Sequence, residues 1–94
     1  MAYTRETAEV LGLQVLGWLA ANDDLMPVFQ DSSGISEGEI RQSASDPLFL
    51  GAVLEFVMMD DAWVVVCCDS LGVAYDSLMQ ARQALPGGEQ VNWT

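Results

Sequence analysis

The sequence predicts an all-α fold, a compact bundle of about five to six short helices around a central apolar helical hairpin. Three observations point there. Helix-start signals recur at Thr4, Ser36, Asp46-Pro47 and Asp60. The apolar residues between them fall at helical rather than alternating spacing. One segment alone, Trp63-Val64-Val65-Val66-Cys67-Cys68, has the β-branched and aromatic content of a buried strand. It has no second strand to pair with, and a lone strand is not viable, so it reads as helix.

The size fits a single domain over residues 1–94, with a core over about 4–88 and a tail, 89–94, holding one apolar anchor, Trp93. A chain of 10.2 kDa should expose ~5,300 Å² folded against ~14,800 Å² unfolded, burying roughly 64% of its surface. That suffices for one modest core. An apolar fraction of 51% excludes a disordered tail protein, which would be poor in apolar residues.

The elements follow in order. Thr4 can cap a first helix running to about Ala21, with Glu6 and Glu9 near its positive end. Ala8, Leu11, Val15, Trp18 and Leu19 form one apolar stripe, and Val10, Leu13 and Gly17 fall on a second, roughly opposite strip. Asn22-Asp23-Asp24 offers caps for a short helix from Leu25 to about Gln30, with Pro27 in its first turn, and Asp31-Ser32-Ser33-Gly34 breaks it. Ser36 and Glu39 read as a capping box opening a helix that ends near Ala44. Asp46-Pro47 starts a fourth helix, apolar from Leu48 to Met59 except at Gly51 and Glu55. Asp60 can cap a fifth from Asp61 to Leu71, stopped by Gly72. A sixth, about Ala74 to Leu85, ends at Pro86-Gly87-Gly88.

Taken together, the pattern resembles a family of small bacterial proteins recorded only as a domain of unknown function. The matching positions are Leu16, Trp18, Leu19 and Ala20, then Gly34-Ile35-Ser36 with Glu39-Ile40-Arg41. Ser45-Asp46-Pro47 with Phe49-Leu50, Val53-Leu54-Glu55-Phe56 and Asp60-Asp61 follow, and Ala81-Arg82 with Ala84-Leu85-Pro86-Gly87 closes the match. It spans about residues 6–88 and leaves out Cys67 and Cys68. The resemblance implies an all-helical domain and brings no activity, substrate or catalytic residue with it.

Charge narrows the function classes. Fourteen acids face three arginines, with no lysine or histidine, for a net charge of −11. Phosphate-backbone binding needs several cations on one face, so no nucleic acid is expected. An anionic membrane surface is equally unsuited. Although Leu48 to Cys68 is long enough to span a membrane, Glu55, Asp60 and Asp61 interrupt it. Without histidine, every Ser-His, Cys-His and His-metal device is absent. The N-terminus lacks the basic region and cleavage site of a signal peptide, and the adjacent Cys67 and Cys68 suit free thiols in a reducing compartment. A cytoplasmic protein is the expectation.

The remaining constellations read structurally. Asp23-Asp24 and Asp60-Asp61 are expected to serve helix starts rather than a divalent cation. Glu55, alone among apolar neighbours, could act as a general acid or base, yet its place beside Gly51 puts it at the exposed edge of its helix. Met58 and Met59 with Cys67 and Cys68 are soft ligands suited to copper(I), but a hairpin turning at Asp60 separates them by more than a turn. A helix-turn-helix reading fails because the expected recognition helix, Leu48 to Met59, carries no cation and no amide. Arg41 and Arg82 stand out because cations are so few, and Arg82 invites an ion pair with an acid of another helix or another chain.

An apolar surplus remains. The first helix is two-sided, and the fourth and fifth are apolar nearly all round, more than a bundle of this size can hide. The sequence therefore points to a non-enzymatic protein-interaction module without cofactor or metal. It forms a homodimer with Val10, Leu13 and Gly17 in the interface, or engages another protein. The alternative is a module binding a small hydrophobic ligand in a pocket lined by Phe56, Met58 and Trp63. An enzyme working through Asp and Glu alone, and an acidic mimic of nucleic acid binding a basic partner, are more remote.

Overall fold

Local hydrogen bonding explains where the helices begin. The structure, a computed structural model, describes residues 3–85. Those residues form six helices: α1 (Arg5–Ala20), α2 (Met26–Ser33), α3 (Glu37–Ser43), α4 (Pro47–Met58), α5 (Asp61–Leu71) and α6 (Ser77–Ala84). The fold is an all-α bundle. The Trp63–Cys68 segment lies within α5, as the absence of a pairing partner required. Trp93 and the Pro86-Gly87-Gly88 stop lie outside the described residues.

Thr4 caps α1 by accepting the Thr7 N–H at 3.1 Å, while the Thr7 hydroxyl accepts the Thr4 N–H at 2.9 Å. Ser36 and Glu39 exchange the same pair of bonds at the start of α3. Asp46 and Asp60 each accept the N–H two residues on, opening α4 and α5. Gly72 stops α5 at φ 73°, in the left-handed region where glycine carries no Cβ penalty.

Three starts and stops differ from expectation. Asp23 and Asp24 do not cap α2. Asn22 Oδ1 instead holds the preceding turn, accepting the N–H groups of Asp24 and Leu25, and α2 opens at Met26 without a side-chain cap. α2 runs on to Ser33, whose hydroxyl donates to the Phe29 carbonyl, and Gly34 ends it at φ 72°. The polar run Asp31-Ser32-Ser33 therefore stays helical, and the stop comes only at Gly34, the residue that takes the left-handed conformation. α6 starts at Ser77 rather than Ala74, and it opens without a side-chain cap, the Asp76 carboxylate instead accepting from the Gln80 side chain.

The core sits where α1, α4 and α6 meet, with α5 laid against α1 and α4. α1 buries Ala8, Leu11, Gly12, Val15, Leu16 and Leu19, close to the first stripe read from the sequence. α4 buries Leu50, Gly51, Val53, Leu54, Phe56 and Val57. Leu19, Leu54, Leu78 and Leu85 are fully enclosed, each contributing about 1.5–3 kcal/mol of burial. α2 and α3 pin themselves to this core through Phe29 and Ile40. Phe29 meets Phe49 and Phe56 edge-on, with centroids 6.0 and 5.1 Å apart.

The two arms of the apolar hairpin are unequally used. α4 is central, but α5 fully buries Cys67 and Cys68 and leaves Val65 and Val66 exposed. The radius of gyration, 12.6 Å, is close to the ~12 Å of a compact chain of this length. The accessible surface, 5466 Å², is close to the expected value.

Candidate functional site

The second apolar strip of α1 stays outside the core. Val10 is 57% exposed and Leu13 51%. Gly17, also exposed, has nothing within 4 Å of where a Cβ would sit. Val10 and Leu13 line a groove of about 700 Å³ between α1 and the corner where α3 meets α4. α1 supplies Glu6, Thr7 and Glu9 along one wall, and Leu50 of α4 contributes apolar surface. Arg41, Ala44 and Ser45 form the other wall. Gly17 stands one turn beyond Leu13, outside this lining.

The groove's electrostatics turn on one cation. Arg5 bonds Glu9 at 3.3 Å across one helical turn, and Arg82 pairs with Glu55. Arg41 has no ion-pair partner among the described residues. It lines the groove without a direct partner, on the wall across from Glu6 and Glu9 of α1. On the same helix, hydrogen bonds from Ser36 lower the Glu39 carboxyl below its ordinary value.

The three residues of the expected ligand pocket are placed differently from one another. Phe56 is buried in the core and stacks on Trp63 with centroids 5.1 Å apart at 28°. Trp63 is half-buried and also walls a smaller recess, about 220 Å³, shared with Trp18. Met58 is half-buried at the end of α4 and lines neither cavity. Phe29 also packs against Phe56, edge-on.

The other candidates resolve into packing. Cys67 and Cys68 are free thiols with no exposed surface. Burial pushes the Cys67 thiol up to about 12, with Cys68 adding to the shift, and burial with the nearby Asp69 and Asp76 raises Cys68. Neither is a ready nucleophile. Glu55 is exposed at the edge of α4, where Arg82 of α6 donates to it. The Arg82 side chain lies over Gly51, and its Nε and Nη1 are buried without an acceptor. Among the described residues no group of three Cys, Asp or Glu side chains is placed to hold a metal ion. None of the described helices is long and apolar enough to cross a membrane.

Sequence reasoning found Val10 and Leu13 from the helical wheel, and noted Arg41 for its rarity. It did not join them. Arg41 lies about thirty residues from Val10, and only the fold, which sets the α3–α4 corner across from the start of α1, brings the two to one groove.

Comparison with known proteins is consistent with this helical frame. Neither a curated protein nor a solved structure matches the chain. A family model described as "Protein of unknown function (DUF3572)" matches residues 5–88, from the first residue of α1 to beyond the end of α6. The match covers all six helices, and the chain belongs to that family of unknown function.

Proposed function

We propose that this protein is a non-enzymatic interaction module that pairs with a second copy of itself through the α1–α3 groove. The observation that carries the proposal is the meeting of exposed Val10 and Leu13 with Arg41, which has no ion-pair partner among the described residues, in one groove. Apolar side chains that remain more than half exposed after folding gain from burial in an interface. A two-fold contact is self-complementary, so each copy would offer Arg41 to the α1 acids of the other. Gly17 leaves a low step on the helix surface where the partner's α1 can approach closely. Buried free thiols suit a reducing compartment, which favours the cytoplasm.

The test is Leu13→Glu. The variant should keep the helical spectrum and melting behaviour of the native chain, since Leu13 makes no part of the core, and it should run as a monomer. A variant that folds and still pairs would overturn the proposal.

A second reading rests on the groove's size. About 700 Å³ falls within the ~300–1,000 Å³ of small-molecule sites. A hydrophobic ligand would use the same Val10, Leu13 and Leu50 surface. Native mass spectrometry separates the two: a monomer carrying added small-molecule mass favours the ligand, a bare dimer the self-contact.

A further inference from the structure

We propose that the recess between α1 and α5, walled by Trp18 and Trp63, binds an alkylammonium group. The recess is separate from the α1–α3 groove, and its failure would leave self-association untouched. It measures about 220 Å³, below the ~300–1,000 Å³ of drug-sized ligand sites. A single head group or the end of one side chain fits that scale.

Three features make the chemistry specific. First, two indoles wall one small space. Indole is the aromatic ring that attracts cations most strongly. Both are packed against the core, and Trp63 is held by its stack on Phe56, so its position is set before a ligand arrives. Second, Leu25 and Val66 supply apolar surface for the carbon substituents of the nitrogen. Third, Asp24 stands at the recess with a carboxylate that has no hydrogen-bond or ion-pair partner among the described residues. Asn22 Oδ1 accepts the N–H of Asp24 at 3.1 Å and of Leu25 at 3.2 Å, locking the turn that carries the acid.

These features select by charge. An anion is refused by Asp24 and by a net charge of −11. A neutral apolar group gains burial but neither the cation–π attraction nor the carboxylate. An alkylammonium gains all three. The same chemistry has two sources, a small quaternary ammonium and a lysine side chain on a basic protein, and the experiment separates them.

The full chain, labelled with ¹⁵N, is titrated with choline and with its neutral carbon counterpart, 3,3-dimethyl-1-butanol. The tripeptide Gly-Lys-Gly and its trimethyllysine form follow. The indole N–H resonances of Trp18 and Trp63 report on the site. Choline should shift both with an affinity of about 1 mM, at least about tenfold tighter than the alcohol. Asp24→Asn removes a carboxylate that bonds nothing else, and should weaken choline about threefold to tenfold with the fold intact. Trp18→Leu should do the same, checked by its melting curve, and Asp24→Asn carries the test if that variant does not fold. A trimethyllysine peptide tighter than choline assigns the site to a protein side chain. Choline binding without peptide binding assigns it to a small molecule. Equal binding of choline and the alcohol, no shift with any probe, or unchanged choline affinity in Asp24→Asn overturns the proposal.

Discussion

Leu50 on α4 places its Cβ 3.0 Å from the point where a side chain would begin at Gly12 on α1. The two helices meet there almost backbone to backbone, and this contact sets how deeply α4 seats against α1 and so the shape of the groove that Leu50 lines. Alanine at position 12 gains about 1 kcal/mol of helix propensity over glycine. The opposing clash is with a Cβ, which cannot rotate away, so the helices must part. Overpacking of this kind costs about 1–3 kcal/mol. Gly12→Ala should therefore be net destabilising by about 1 kcal/mol in urea unfolding. A variant more stable than the native chain would show that the contact yields freely.

Arg82 and Glu55 give a contrasting pair of outcomes. The arginine side chain is 15% exposed and the glutamate 59%. Two of the guanidinium's nitrogens are buried without acceptors. Glu55→Gln leaves that cation less compensated and should cost about 1 kcal/mol, since the acid half of the pair is largely in water. Arg82→Met removes the unpaired donors while keeping the packing over Gly51, and should cost less than Glu55→Gln, close to neutral. Chemical denaturation of both variants checks the order. A larger loss for Arg82→Met than for Glu55→Gln would contradict it.

The adjacent thiols set an alkaline limit. Cys67 is raised from 9.0 to about 12 by burial, with Cys68 adding to it. A group whose neutral form is favoured in the fold binds its proton more tightly there than in the unfolded chain. Its contribution is full below the ordinary value of 9.0 and is lost as pH rises from there towards about 12. Melting temperatures should fall across that window, and Cys67→Ser should change the slope. At neutral pH both thiols should resist a thiol-reactive dye until the protein unfolds. Rapid labelling of the folded chain would contradict their burial.

Glu39 sets an acid limit on α3. Its carboxyl is lowered from 4.5 mainly by the backbone hydrogen bond from Ser36, with the Ser36 hydroxyl adding to it. A depressed folded value means the cap's contribution is present above the ordinary value of 4.5 and is lost as pH falls through the folded value. NMR titration should find Glu39 ionised below its ordinary range, with the Ser36 amide resonance moving in step. Glu39→Gln should keep the cap geometry and remove the pH dependence.

The legible part of the fold was the part written locally. Thr4, Ser36, Asp46, Asp60 and Gly72 act within a few residues of themselves, and their bonds follow from spacing. The apolar strips of α1 were equally readable, because the period of the helix alone sorts Leu11 inward and Leu13 outward. Competition between local bonds was harder. Asn22 displaces its acidic neighbours at the turn before α2, and α2 runs through its polar end until Gly34 takes the left-handed conformation. Contacts across the bundle were not legible. Spacing does not show that Phe29 and Trp63 both pack against Phe56, nor that Arg41 joins Val10 and Leu13. The even apolarity of α5 hid its outward face, Val65 and Val66, because a helix apolar on all sides gives no periodic signal of which side is buried.

Self-association through the α1–α3 groove is tested most directly by sedimentation equilibrium of the native chain and Leu13→Glu at low and high salt. Two copies that each carry a net charge of −11 repel one another, and salt screens that repulsion without weakening apolar burial. The native chain should approach twice 10.2 kDa, more completely at high salt, while Leu13→Glu stays at the mass of one chain. A native mass of one chain at every salt concentration, or a Leu13→Glu dimer as stable as the native one, would contradict the account.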